Sequence, residues 1–240
     1  MAVRFSIIVP VLNEAYTINR TLAHLENRTR GKDCEVLVVD GHPRATTLRV
    51  IDYPWAIRLA SPPGRGGQMA RGAARAQGDI LLFLHADTHL PEGALAAIDR
   101  SMTHKGVVGG AFDLTIDAPG PAYRIIEAMA NRRSRLTRIP YGDQAIFLDR
   151  AFYERIGGFQ DLPLMEDVAL MRRVKKAGGT IILLPQRVVT SARRWKSEGV
   201  VYGTWRNWTL VTLYLLGVPP SRLVRLYGTR KETRTDKKEA

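Results

Sequence analysis

Four short apolar runs, with several β-branched residues among them, fall at 6–11, 35–39, 56–60 and 80–84, separated by segments whose apolar residues return every three or four positions. Runs of that length read as strands and the intervening periodicity as helices, which sets a β-α-β-α rhythm. Between the first two runs, Ile18, Leu22 and Leu25 sit at i, i+4 and i+7, with Asn13 or Thr17 placed to cap the helix start. Between the third and fourth, GGQMARGAARAQG is small and Ala-rich, with Gly78 as its stop. Runs apolar on both faces predict a parallel sheet covered by helices, joined by right-handed crossovers. Ligands of such sheets gather beyond the carboxyl ends of the strands, and Asp40 and Asp87 stand just past two of those ends.

The regular rhythm fades after residue 91. A helix at 94–102, a strand at 107–117 and a helix with a basic end at 122–136 come first. Residues 141–150 read as a strand leading into a short helix at 150–156. A loop then precedes an amphipathic helix that starts at Glu166 and closes at Gly178 and Gly179. Two late strands follow, TIILLP and RVVTS. A length of 240 residues suits one α/β domain with a sizeable core. The expected division is a single domain over 1–228, comprising a nucleotide-binding half (1–104), an acceptor half (105–198) and a C-terminal helical segment (199–228). A polar basic tail occupies 229–240.

Net charge is +13, a field that draws polyanions of any kind. Zinc-finger spacing, an RNP-like strand and a KH-type clamp are all missing, so no specific nucleic acid is expected. The lone Cys34 excludes an internal disulfide, and the N-terminus has too short an apolar run for a secretory signal. The expected location is cytoplasmic.

A single strand-end Asp is weak evidence, since it also serves as a helix N-cap. Two at neighbouring strand ends face one crevice, where hard divalent cations take one or two carboxylates plus substrate phosphates. At this point the ordered set IIVPVLNE, EVLVVDG, FLHADT, the Gly157-Gly158-Phe159 segment and Glu166-Asp167 resembles the family 2 glycosyltransferases of the GT-A fold. The resemblance covers roughly residues 4–195. It implies a mostly parallel central sheet flanked by helices with a mixed C-terminal half. It also implies inverting sugar transfer from a nucleotide-diphosphate donor with Mg2+ or Mn2+. The FLHADT form further resembles a subgroup tied to selenium- or arsenosugar-related gene neighbourhoods.

By that resemblance Pro10, Asn13 and Glu14 belong to the first nucleotide-side loop, Asp40 contacts the base, and Asp87 is the last residue of the D-x-D metal motif. Asp167 is the catalytic base and Glu166 orients the loop or acceptor. The Asp143-Gln144 pair and Phe159 stand on the acceptor side. Arg194 and Trp195, the R-W of Ser191-Ala192-Arg193-Arg194-Trp195, meet the leaving diphosphate and a sugar face. Two departures stand out. The D-x-D appears as His85-Ala86-Asp87, so His85 is either a second ligand or a packing residue, and the loop after Asp40 lacks the family's second Asp. The Gly-rich Pro63–Gln68 segment lacks the third glycine of a dinucleotide fingerprint and is read as a bend that brings Arg65 to the nucleotide.

Residues 205–218 are too short and too polar at their start to span a bilayer, but their aromatics and the arginines that follow suit either a core helix or an anionic membrane interface. The expected partners are the nucleotide-sugar donor, a small-molecule, glycan or lipid acceptor, and an anionic membrane surface, with the protein peripheral on its cytoplasmic face. Two other functions fit the same residues: a nucleotidyltransferase, or an inactive basic protein that binds nucleotides or polyanions.

Overall fold

The computed structural model of the protein describes residues 3–228; the predicted tail at 229–240 lies outside them. Strands β1 (Phe5–Val11), β2 (Cys34–Asp40), β3 (Ile57–Ala60) and β4 (Ile80–Phe83) pair in parallel in the order β3-β2-β1-β4. Helices α1 (Ile18–Thr29) and α2 (Arg65–Arg75) link them. Alternate residues along β1, β2 and β4 enter two separate cores, because successive side chains of a strand point to opposite faces. Ile7, Val9, Val36, Val38 and Leu82 meet Ile18, Leu22 and Leu25 of α1. On the other face, Ile8, Leu37, Val39, Leu81 and Phe83 meet Met69 and Ala73 of α2. That double burial is why the runs of β1, β2 and β4 are apolar without alternation, while edge strand β3 turns Ile57 and Leu59 inward and leaves Arg58 and Ala60 exposed.

Helix α2 stops at Arg75, short of the Gly78 stop expected. Gly78 answers a different need: a Cβ there would stand 2.7 Å from the carbonyl carbon of Phe5 and from the Ser6 nitrogen.

The remaining elements are β5 (Thr88–His89), α3 (Ala94–Met102), β6 (Val107–Asp117), α4 (Pro121–Thr137), β7 (Phe147–Asp149), α5 (Arg150–Arg155) and α6 (Glu166–Lys176). They end with β8 (Thr180–Ser191), α7 (Arg193–Glu198), α8 (Val200–Leu215) and α9 (Pro220–Gly228). The full sheet runs β3-β2-β1-β4-β7-β6-β8-β5, with β7 antiparallel to both neighbours and β5 antiparallel to β8. The expected parallel sheet with a mixed C-terminal half is therefore present.

The two late strands expected are one. Strand β8 runs through Pro185, and its pairing with β6 jumps from Phe112↔Leu184 to Asp113↔Arg187. A bulge absorbs the residue that cannot donate to the ladder. Residues 141–146 are not strand either, since a 3-10 turn (Gly142–Gln144) and a left-handed Ala145 precede β7. Pairing of β6 with β7 covers Gly109 and Gly110. Farther along β6, side chains of α4 take a strand's place: Asn131 bonds both the amide and the carbonyl of Leu114 (2.7 and 3.0 Å), and Glu127 accepts the Ile116 amide at 2.6 Å. Among the described residues no helix is long and apolar enough to cross a membrane.

Candidate active site

The carboxyl ends of β1 and β4, the turn before β7, the start of α6 and the segment after β8 enclose a cleft of about 630 Å³. Strand β4 delivers Asp87 to it through a tight turn in which Thr88 donates its amide to the His85 carbonyl (3.0 Å) and Ser191 donates to the Asp87 carbonyl (3.0 Å). The Asp87 side chain remains 33% exposed, open to the cleft. Arg193 leans across the mouth: its guanidinium grips Glu14 (2.5 Å) and lies 3.8 Å from the Asp87 carboxylate. Thr17 also donates its hydroxyl to Glu14, at 2.5 Å.

At the opposite wall, Met165 takes a left-handed backbone (φ 65°) and turns the chain so that α6 begins with Glu166 and Asp167. The Asp167 carboxylate accepts the Gly142 amide on Oδ2 and its neighbour Val168's amide on Oδ1, both at 2.7 Å. Buried Glu166 faces Arg65 at 3.4 Å. Burial, then the adjacent Asp167 charge, raises the Glu166 carboxyl above its ordinary value, with Arg65 pulling the other way. Asp143 is also raised, chiefly by burial, and the Asp167 charge adds to it while Arg133 opposes.

His85 lies on the cleft floor. Burial, followed by the charges of Arg65 and Arg194, holds its imidazole well below the ordinary range, so the ring is neutral. Its Nε2 is enclosed with no hydrogen-bond partner and abuts the Gly142 backbone, where a Cβ would come within 2.7 Å.

The model of glycosyl transferase family 2 matches residues 6–159. The chain belongs to glycosyl transferase family 2. That match takes in Asp40, Asp87 and Asp143 and ends before Glu166 and Asp167. The family 2 chain is 25% identical over 230 residues to the probable glycosyltransferase YdaM of Bacillus subtilis, covering 85% of this chain and 52% of that protein. It thus spans about half the length of that curated relative. Its fold is similar to that of the mannosyltransferase PcManGT of Pyrobaculum calidifontis, solved with GDP-Man and Mn2+. There the TM-score is 0.64 at 20% identity, over 91% of this chain and 66% of that one. GalNAc-T7, solved with UDP, GalNAc and Mn2+, is similar at a TM-score of 0.61 and 14% identity, over 79% of this chain and 44% of that one. These likenesses establish a GT-A architecture.

Of the residues singled out in the sequence of this family 2 chain, Pro10, Glu14, Arg65, His85, Asp87, Asp143, Glu166, Asp167, Arg194 and Trp195 line the one cleft. Four do not. Asp40 is fully buried and spends its carboxylate on the amides of His42 (2.8 Å) and Thr47 (2.9 Å), folding its own loop. Asn13 is exposed on the neighbouring loop in a left-handed conformation. Gln144 is also fully buried: its side-chain carbonyl accepts from Ser134 (2.6 Å) and from the Tyr141 amide (3.2 Å), and its amide donates to Phe112 (3.0 Å), so it pins the turn from behind. Phe159 is buried edge-on against Phe83 at 4.8 Å, in the core rather than on the acceptor side.

Two residues escaped the sequence reading. Gln68 donates to the carbonyls of Val11 and Val39, 2.7 Å each, and so locks the ends of β1 and β2 together. Arg193 holds the Glu14–Asp87 corner, although it is Arg194 that the motif singles out.

Proposed function

We propose that this chain transfers a sugar from a nucleotide-diphosphate donor to an acceptor hydroxyl, with inversion and with a divalent cation, Mg2+ or Mn2+. The observation that carries the reading is the convergence of Asp87, Asp167 and Arg194, from three separate elements, on one cleft. Its volume suits a ligand of this size.

The donor set fits a hard cation. Among the described residues no three His, Cys, Asp or Glu side chains converge as a cage, which matches a cation held by one carboxylate and substrate phosphates. Asp87 is the open carboxylate. His85 serves by packing, because its free nitrogen is walled in by Gly142. A cation at Asp87 would supply charge stabilisation to the departing diphosphate.

The chain's own residues do the rest. Asp167, aimed by two amides, takes the proton of the acceptor hydroxyl as its oxygen attacks the anomeric carbon, while the bond to the diphosphate oxygen breaks on the far side. Arg65 and Arg194 offer positive charge to the leaving group. Glu166 braces Arg65. The loop that Asp40 shapes, together with Pro10 and Asn13, borders the nucleoside, and Asp143 and Trp195 border the acceptor. The acceptor is a small molecule, a glycan or a lipid. We place the enzyme in the cytoplasm, peripheral to an anionic membrane surface, as its strong positive charge favours.

Calorimetry with nucleoside diphosphates and Mn2+, followed by a donor screen, tests the reading. Metal-dependent binding and release of a nucleoside diphosphate on turnover are expected. Release of pyrophosphate would identify a nucleotidyltransferase, and absence of metal-dependent nucleotide binding would identify an inactive binding protein.

A further inference from the structure

Helix α8 is two-faced. At 100° per residue, Val201, Trp205, Trp208, Thr212, Leu215 and Leu216 share one stripe. That stripe is open: Trp205 is 64% exposed, Val201 83% and Leu216 77%. Leu210, half a turn away, is buried and lines the cleft with Val211 and Asn207. Helix α4 packs on α8 and carries its own exposed row, Ile125, Met129 and Leu136, with exposed Arg132 on the same face. Two tryptophans and several aliphatics are left in water on two helices that pack together, and the α8 stripe by itself is the kind of exposed apolar row that marks an interaction site.

Charge names the partner. Residues 199–225 contain no Asp or Glu, and Arg222 and Arg225 of α9 are exposed. The acid of α4, Glu127, is buried against β6. Pairing two copies through this surface would bring like charges together. An anionic bilayer instead meets the arginines with opposite charge and takes indole rings at its headgroup level.

We infer that the α8 stripe, with the row on α4 and the arginines of α9, docks this protein on an anionic lipid bilayer. The same helix walls the cleft with its opposite side, so docking would hold the apolar end of the cleft about one helix diameter, roughly 10 Å, from the lipid surface. This makes concrete the membrane partner of the proposed enzyme and rests on that reading only for the cleft's role.

The full chain is tested by co-sedimentation, and by tryptophan fluorescence, with vesicles of phosphatidylcholine alone or mixed with phosphatidylglycerol. Expected is binding to the phosphatidylglycerol vesicles with a blue shift in emission, weakened in about 1 M salt, where charges are screened within about 3 Å. Trp205→Glu/Trp208→Glu is expected to weaken vesicle binding roughly tenfold or more. Its melting temperature and Mn2+-dependent nucleoside diphosphate binding should stay as in the parent. Val201→Glu/Leu216→Glu, on the same stripe, should repeat the effect should the first variant fold poorly. The inference is overturned if the parent ignores phosphatidylglycerol vesicles at low salt or if both variants bind them as the parent does. A parent dimer that the variants dissolve would overturn it too, in favour of a second copy. A protein that binds vesicles but no nucleoside diphosphate would sink the enzymatic reading and leave the docking surface standing.

Discussion

Gly142 and Asp167 are joined by a 2.7 Å hydrogen bond from the glycine amide to the carboxylate, across the floor of the cleft. The glycine is pressed from the other side by His85, whose Nε2 leaves no room for a Cβ. With the Val168 amide on its other oxygen, the Gly142 amide therefore fixes the direction of the proposed base, and one imidazole borders the backbone that carries the Gly142 amide. Gly142→Ala should strain this contact and cost about 1–3 kcal/mol, the usual penalty for overpacking. His85→Ala opens the space, so the double variant should recover much of the loss. A double-mutant cycle on unfolding free energy measures the coupling, expected at about 1 kcal/mol or more. Strict additivity would show that the imidazole does not set the turn.

Glu166 gives a pH signature. Its carboxyl is raised above an ordinary value of 4.5 by burial and by Asp167. Between the unfolded and the raised values the folded chain holds a proton that the unfolded chain has released, so stability falls as pH rises through that window. Glu166→Gln keeps the shape and removes the titration. The variant should be more stable than the parent at neutral pH, with the advantage vanishing below pH 4.5. Denaturant melts across a pH series check it, and parallel profiles would mean that Glu166 ionises freely in the folded state.

The first half of the fold was readable because β1, β2 and β4 are buried on both faces and its helices on one, which leaves a plain mark in composition and period. Strand β5 leaves none: two residues, Thr88 and His89, hold their place only by pairing with β8. Pro185 is a local stop signal that a bulge overrides. In the site, Asp87, Glu166 and Asp167 were singled out by the ordered motifs of the resemblance and do line the cleft, whereas Asp40, just as much a strand-end carboxylate, is spent on the amides of His42 and Thr47. Gln144 and Phe159 were not legible, since both are polar or aromatic residues near a motif whose direction depends on α4 and on Phe83. Arg193 and Arg194 are adjacent and identical, so only geometry separates the one that grips Glu14 from its neighbour.

The metal assignment predicts that Asp87→Ala abolishes the Mn2+-dependent part of nucleoside diphosphate affinity. Stability should move by no more than about 0.5 kcal/mol, because the side chain is partly exposed and its ion pair with the exposed Arg193 is long, at 3.8 Å. Chelation of the metal from the parent should reduce affinity to the same level, and the two treatments together should do no more than either alone. His85→Ala should preserve most of the metal-dependent affinity. A loss equal to that of Asp87→Ala would make His85 a direct ligand.

Asp167→Asn bears on the mechanism most directly. The amide keeps the size of the side chain and one oxygen to accept from Gly142, but it cannot take the acceptor's proton. Donor binding should persist, since the cation and phosphates are held elsewhere, while the single-turnover rate falls by roughly the 10²- to 10⁴-fold expected for a lost general base. Glu166→Gln should cost less, because Glu166 touches Arg65 and not the reacting oxygen in this scheme. If the two acids merely favour the helix start, Asp167→Asn would instead lower stability by about 1 kcal/mol or less and leave the rate per folded molecule intact. Melting temperature, donor affinity and single-turnover rate measured on both variants separate these outcomes. Full activity in folded Asp167→Asn would move the role of base to Asp143, whose raised carboxyl stands in the same cleft and feels the Asp167 charge.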